Sequence, residues 1–112
     1  MPRRDTPLRP AVFHILLALA GAALHGLGIA KAVEEATTGS VRLGPGTLYR
    51  SLKEMARDGL ISEVPAPSES EDPRRRFYSI TTRGRALVQA EAERLARIVD
   101  VARENRVLPS AS

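Results

Sequence analysis

Apolar residues recur along the chain with three spacings, and each change of spacing marks a change of element. From Leu8 or Pro10 to Ala20 they nearly encircle a helix, through Val12, Phe13, Ile15, Leu16, Leu17 and Leu19. A helix apolar on all sides lies inside a fold, so this one is central. Gly21 ends it. From Gly26 to Ala36 the apolar residues narrow to one stripe, Ile29, Ala30, Val33 and Ala36, with Lys31, Glu34 and Glu35 outside. Thr37-Thr38-Gly39-Ser40 is a turn cluster, and Val41-Arg42-Leu43 is long enough for a very short strand. A third helix follows. Pro45 suits its first position, where the missing N–H has no partner, and Gly59 suits the left-handed stop. Leu48, Leu52 and Met55 share one face at i, i+4 and i+7, while Thr47, Arg50, Lys53 and Arg57 point roughly the other way.

After Gly59 the period becomes extended. Leu60 to Val64 reads as a strand ended by Pro65, and Arg75 to Ile80 as a second, with Tyr78 and Ile80 on one face. Between them residues 65–73 are rich in Pro, Ser and acid, the composition of an exposed loop. The two strands should form a hairpin with a long tip. Thr81 can cap a last helix from Thr82 to about Arg106. Within it Val88, Ala92, Leu95, Val99 and Ala102 alternate at spacings of four and three, widened by Leu87, Ile98 and Val101. That is a short heptad seam. Such a helix outreaches a domain of this size, so its seam needs a partner, and a second copy is the simplest. The alternative is a seam that packs within its own chain.

Helix, helix, short strand, helix, hairpin and long helix make a mainly α fold with a small β-hairpin, the winged helix-turn-helix plan. The second and third helices are the turn-linked pair and the hairpin is the wing. The expected organisation is a flexible N-terminal arm at 1–7, a winged helix-turn-helix domain at 8–81, a C-terminal dimerisation helix at 82–106 and a frayed tail at 107–112. The 112 residues amount to one domain, and no internal repeat is visible.

Composition narrows the function. The net charge of +4 permits a polyanionic partner. The absence of Cys excludes disulfides and thiolate metal sites and fits the cytoplasm. Arg3 and Arg4 before the apolar run Val12 to Leu24, with Ala18-Leu19-Ala20, superficially resemble a secretory signal. Asp5 weakens the basic flank, His14 interrupts the run, and cleavage would remove the fold's back wall. The run is also too short to span a membrane. Catalytic clusters, glycine-rich phosphate loops and serine elbows are lacking, so an enzyme is not expected, nor a cofactor or metal. The acids Glu69, Glu71 and Asp72 on the wing tip lack fixed geometry for a cation and read as a solubilising loop. His14 reads as a half-buried core residue. His25 reads as a local hydrogen-bonding residue.

Three motifs resemble the PadR family of bacterial transcriptional regulators. They are Leu24-His25-Gly26, Pro45-Gly46-Thr47-Leu48-Tyr49 with Gly59-Leu60-Ile61, and Arg75-Arg76-Phe77-Tyr78 with Ile80-Thr81 and Gly84. With the final helix they cover about residues 10–105. The resemblance implies a dimeric DNA-binding repressor, paired through its last helix and responsive to small aromatic or drug-like effectors near the dimer interface. This chain resembles the short kind, with one terminal helix instead of a full effector domain. It departs from the pattern at Leu27, where Tyr is frequent, and at Arg50, where Pro is common. The last helix lacks Trp, so an effector site of stacked indoles cannot form.

The residues expected to meet DNA each have chemistry suited to it. Gly46 and Thr47 open a helix, whose free N–H groups can hold a phosphate. The hydroxyls of Thr47 and Tyr49 add hydrogen bonds. Arg50 and Lys53 are candidates for base edges, because Arg binds guanine through two parallel hydrogen bonds. Arg74, Arg75 and Arg76 at the wing base suit the minor groove or its phosphates. Strand alternation would point Arg75 and Arg76 in opposite directions. Arg42 adds a further phosphate contact. Plainer roles exist for some of these: Tyr49 could cap the core edge, and Arg76 could pair with Glu63. The expected partners are therefore double-stranded DNA, a second copy and an effector. A winged-helix protein–protein interaction module without specific DNA binding stays open as the alternative.

Overall fold

A computed structural model describes residues 7–67, 72 and 74–110. Most of the N-terminal arm, the wing-tip acids Glu69 and Glu71, and the last two residues lie outside that range. The elements are α1 (Pro10–Gly21), β1 (Leu24–His25), α2 (Gly26–Ala36), α3 (Pro45–Arg57), β2 (Ile61–Val64), β3 (Phe77–Ile80) and α4 (Thr82–Glu104). The architecture is mainly helical with a small antiparallel sheet, the winged helix-turn-helix arrangement.

Side chains from every helix and from the wing strands close one core. Ile15, Leu16 and Leu19 of α1 meet Ile29 and Val33 of α2, Leu48, Leu52 and Met55 of α3, Ile61, Tyr78, and Val88 of α4. The near-continuous apolar surface of α1 follows from its place among α2, α3, α4 and β3. Only Leu17 among its large side chains faces outward.

The sheet corrects the expected order of elements. It has three strands in the order β1-β3-β2. Val41-Arg42-Leu43 is not one of them. Val41 and Leu43 rest partly buried against the core, and the Val41 N–H donates to the Thr37 hydroxyl at 3.0 Å. A strand needs a neighbouring edge, and both edges of β3 are taken. The extra strand lies before α2 instead, where Leu24 faces Tyr78 and His25 faces Phe77. β3 is the central strand, and Phe77 is buried along with Tyr78.

The junction that hangs the wing on α3 is built from small residues. Gly59 has φ +76, and α3 ends in a double turn, with Leu60 N–H bonded to Met55 C=O at 2.9 Å and Gly59 N–H to Ala56 C=O at 3.1 Å. Thr81 accepts the Gly84 N–H at 3.0 Å, capping α4, while its hydroxyl lies 2.7 Å from the Gly59 carbonyl oxygen. A Cβ on Gly84 would run into the carbonyl oxygen of Leu60. The end of α3, the start of β2 and the start of α4 thus meet at one backbone contact.

Candidate nucleic-acid interface

α3 has a packed face and an exposed face on opposite sides. Leu48, Ser51, Leu52 and Met55 are buried, whereas Gly46, Thr47, Tyr49, Arg50 and Lys53 are exposed. The helix starts at Pro45, and no side chain caps its first turn. Its leading N–H groups are therefore available to an anion. Among the described residues neither Arg50 nor Lys53 has an ion-pair partner, so both guanidinium and ammonium face solvent.

The arginines of the wing base and of the α2–α3 turn are held differently. Arg42 lies 3.3 Å from Glu34, Arg74 3.3 Å from Asp72 and Arg76 3.8 Å from Glu63. All three pairs are exposed, so each holds a side chain loosely and yields readily to a phosphate. Arg75 has a different partner. Its Nη1 lies 2.8 Å from Nε2 of His25, fifty residues earlier in sequence. β3 begins only at Phe77, so strand alternation does not set the directions of Arg75 and Arg76: Arg75 turns to His25 of β1, and Arg76 to Glu63 of β2. Both line one cleft.

That cleft, of about 360 Å³, lies between the start of α2, Tyr49 of α3 and the wing base. Tyr49 is 53% exposed, and its phenol lies over Gly26, where a Cβ would meet the hydroxyl oxygen at 2.9 Å. The ring thus bridges α3 and α2 at the cleft wall. Burial raises the pKa of the Tyr78 hydroxyl at the cleft floor, and Glu63 adds to it. Burial also lowers that of His25, followed by the positive charge of Arg75.

His25 is the residue that sequence reasoning undervalued. A local role was expected, yet its ring joins the wing to α2 through Arg75 and packs on Phe77 with centroids 5.2 Å apart. The signal was thin, since two residues of strand carry no periodicity. His14 is half-buried on α1, edge-on to Phe13.

The expected seam on α4 divides in two. Val88 is buried against its own core, and burial along the helix stops at Glu91. Beyond that point Ala92 is exposed, Leu95, Val99 and Ala102 are half-buried, and Ile98 and Val101 are 51% and 50% exposed. Among the described residues no group of three His, Cys, Asp or Glu is placed to hold a metal, and no helix is long and apolar enough to cross a membrane.

Comparison with known proteins sets this geometry in a family. The chain is 36% identical over 84 residues to an uncharacterised 37.1 kDa protein in transposon TN4556 of Streptomyces fradiae, covering 75% of this chain and 22% of that one. It therefore spans about a fifth of the length of that curated relative. A PadR family transcription regulator from Clostridium difficile superposes with a TM-score of 0.71 at 28% identity, covering 84% of this chain and 95% of that one. Bacillus subtilis PadR, solved in complex with operator DNA, shares the fold at a TM-score of 0.61 and 20% identity, over 72% of this chain and 45% of that one. The profile of the transcriptional regulator PadR-like family matches residues 15–90, which include the α2 start, α3, the wing and the first turns of α4, and the chain belongs to that family.

Proposed function

We propose that this chain is a sequence-specific DNA-binding transcriptional regulator, a homodimeric repressor that acts in the cytoplasm on a palindromic operator. The observation that carries the reading is the outer face of α3. Thr47, Arg50 and Lys53 stand exposed and unpaired among the described residues, on a helix whose opposite face is locked into the core. A helix so anchored can enter a major groove without disturbing the fold. Gly46, Thr47 and Tyr49 hold backbone phosphates, Arg50 and Lys53 reach base edges, and Arg74, Arg75, Arg76 and Arg42 exchange their weak partners for phosphates. The operator-bound state of the Bacillus subtilis relative supports this role for the fold.

In the proposed assembly residues 8–81 bind DNA and the distal half of α4 pairs two copies. Any effector acts at that seam, because a shift there changes the spacing of the two α3 helices. Selection of bound duplexes from a random pool at two salt concentrations tests the reading. The expected result is an enriched palindrome whose half-sites lie about one helical turn apart, with affinity falling steeply as salt rises. Binding that disappears with salt and enriches nothing would replace the reading with a protein-interaction module.

A further inference from the structure

The cleft at the start of α2 has a polar lining of one kind. His25, Arg75, Arg76 and the Tyr49 and Tyr78 hydroxyls contribute to it, and among the described residues none that lines it is a carboxylate. Glu63, whose charge acts on Tyr78, is engaged with Arg76 at the wing. Among the described residues, the titratable and charged groups that line the cleft with His25 are Arg75, Arg76 and Tyr78 from the wing and Tyr49 from α3. Elsewhere the ring packs against the Phe77 ring and lies over Gly28, where a Cβ would meet its Cε1 at 3.2 Å.

The contact between Arg75 and His25 fixes a protonation state. A guanidinium only donates, so Nε2 at 2.8 Å must accept, and the ring is neutral with its proton on Nδ1. Burial and the adjacent cation both keep it so. An anion in the cleft would reverse this balance. It would draw the Arg75 guanidinium to itself and stabilise a second cation beside it. The cleft shares Tyr49 with the exposed face of α3, so a duplex lying on that face brings its sugar-phosphate backbone to the cleft mouth. The first turn of α2, which no side chain caps, adds backbone N–H donors.

We propose that this cleft seats one backbone phosphodiester of the bound duplex, and that His25 takes up a proton as the phosphate enters. The proposal rests on the DNA-binding reading above. The phosphate replaces His25 as the acceptor for Arg75, and Nε2 of the protonated ring becomes a donor to the phosphate oxygen. DNA binding is then linked to proton uptake, and affinity rises as pH falls.

The test is the dissociation constant for the selected duplex between about pH 8 and pH 5.5, at constant ionic strength, above the range where carboxylates titrate. The wild-type chain is compared with His25→Gln, whose amide oxygen still accepts from Arg75 but does not titrate. The chain has two histidines, and His14 on α1 is common to both proteins. Wild-type affinity should climb by up to about tenfold per pH unit between the free and bound His25 pKa, with the glutamine variant flatter by that amount. Parallel profiles would overturn the proposal. A second measurement needs no variant: the His25 imidazole is titrated by NMR with duplex present and with inorganic phosphate instead. A pKa raised by duplex alone supports the backbone contact, whereas an equal rise with free phosphate overturns it in favour of a small-anion site. Failure of the wild-type chain to bind any duplex at any pH in this range would remove the DNA-binding reading itself, an outcome distinct from parallel profiles.

Discussion

Two residues show how a single side chain governs either the fold or the recognition. Gly84 sits in the first turn of α4, where an added methyl would strike the backbone of Leu60 and crowd Ile80. Neither backbone can retreat, because Thr81 ties them together. Gly84→Ala should therefore destabilise the chain by about 1–3 kcal/mol, despite the better helix propensity of alanine, as denaturant melts would show. Arg50 has the opposite character. It is exposed and supports no packing, so Arg50→Ala should leave the melting curve within about 0.5 kcal/mol of wild type. On the proposed reading the same change costs about 1–3 kcal/mol of discrimination at one operator position, and repeated duplex selection should lose its preference there. An unchanged consensus would remove Arg50 from the groove.

At the scale of elements, α4 is fastened to the domain by a polar contact that no apolar pattern announces. Glu91 is 7% exposed, yet Arg94 engages both its carboxylate oxygens at 2.8 Å, and the Leu8 N–H donates to it at 3.3 Å. The chain before α1 is thereby pinned to α4. The Arg94 hydrogen bonds hold the Glu91 pKa below its ordinary 4.5, against the opposing effect of burial. A lowered native pKa means that the unfolded chain binds the proton more readily. The stabilisation is thus fully present above the ordinary glutamate value and is lost as pH falls through the lowered one. Thermal midpoints measured from pH 6 down to pH 3 should fall more steeply for wild type than for Glu91→Gln. The helices were legible in the sequence because each stripe spans two turns or more, as in Leu48, Leu52 and Met55. The hairpin was legible from the change of period at Leu60. β1 was not, since Leu24 and His25 become a strand only through β3, and Val41 to Leu43 carried the same local signal without a free edge to join. Among the candidate contacts, the exposed face of α3 followed from periodicity alone. The union of His25 with Arg75 joins chain positions fifty apart and is visible only in three dimensions.

The whole molecule measures 50 × 32 × 25 Å, and α4 extends about 35 Å at 1.5 Å per residue. Its first half belongs to the domain, and after Glu91 it leaves the core. Ile98 and Val101 then stand half-exposed on a surface that Leu95, Val99 and Ala102 continue, with Val107 and Leu108 exposed beyond the helix end. Burying a side chain of this size against a second copy contributes about 1.5–3 kcal/mol, and two-fold symmetry counts each contact twice. Ile98→Glu should therefore weaken self-association by about two to four orders of magnitude while leaving the monomer folded, because the wild-type monomer does not bury that side chain. If the proposed homodimer forms, sedimentation across a concentration series would show the variant as monomer at concentrations where wild type self-associates. The DNA consequence separates the seam from the groove contacts. A monomer keeps the whole face of α3, so its affinity for a single half-site should match wild type, while the gain from joining two half-sites disappears. If Ile98→Glu instead binds the full palindrome as tightly as wild type does, the two copies meet elsewhere and the distal half of α4 is not the seam.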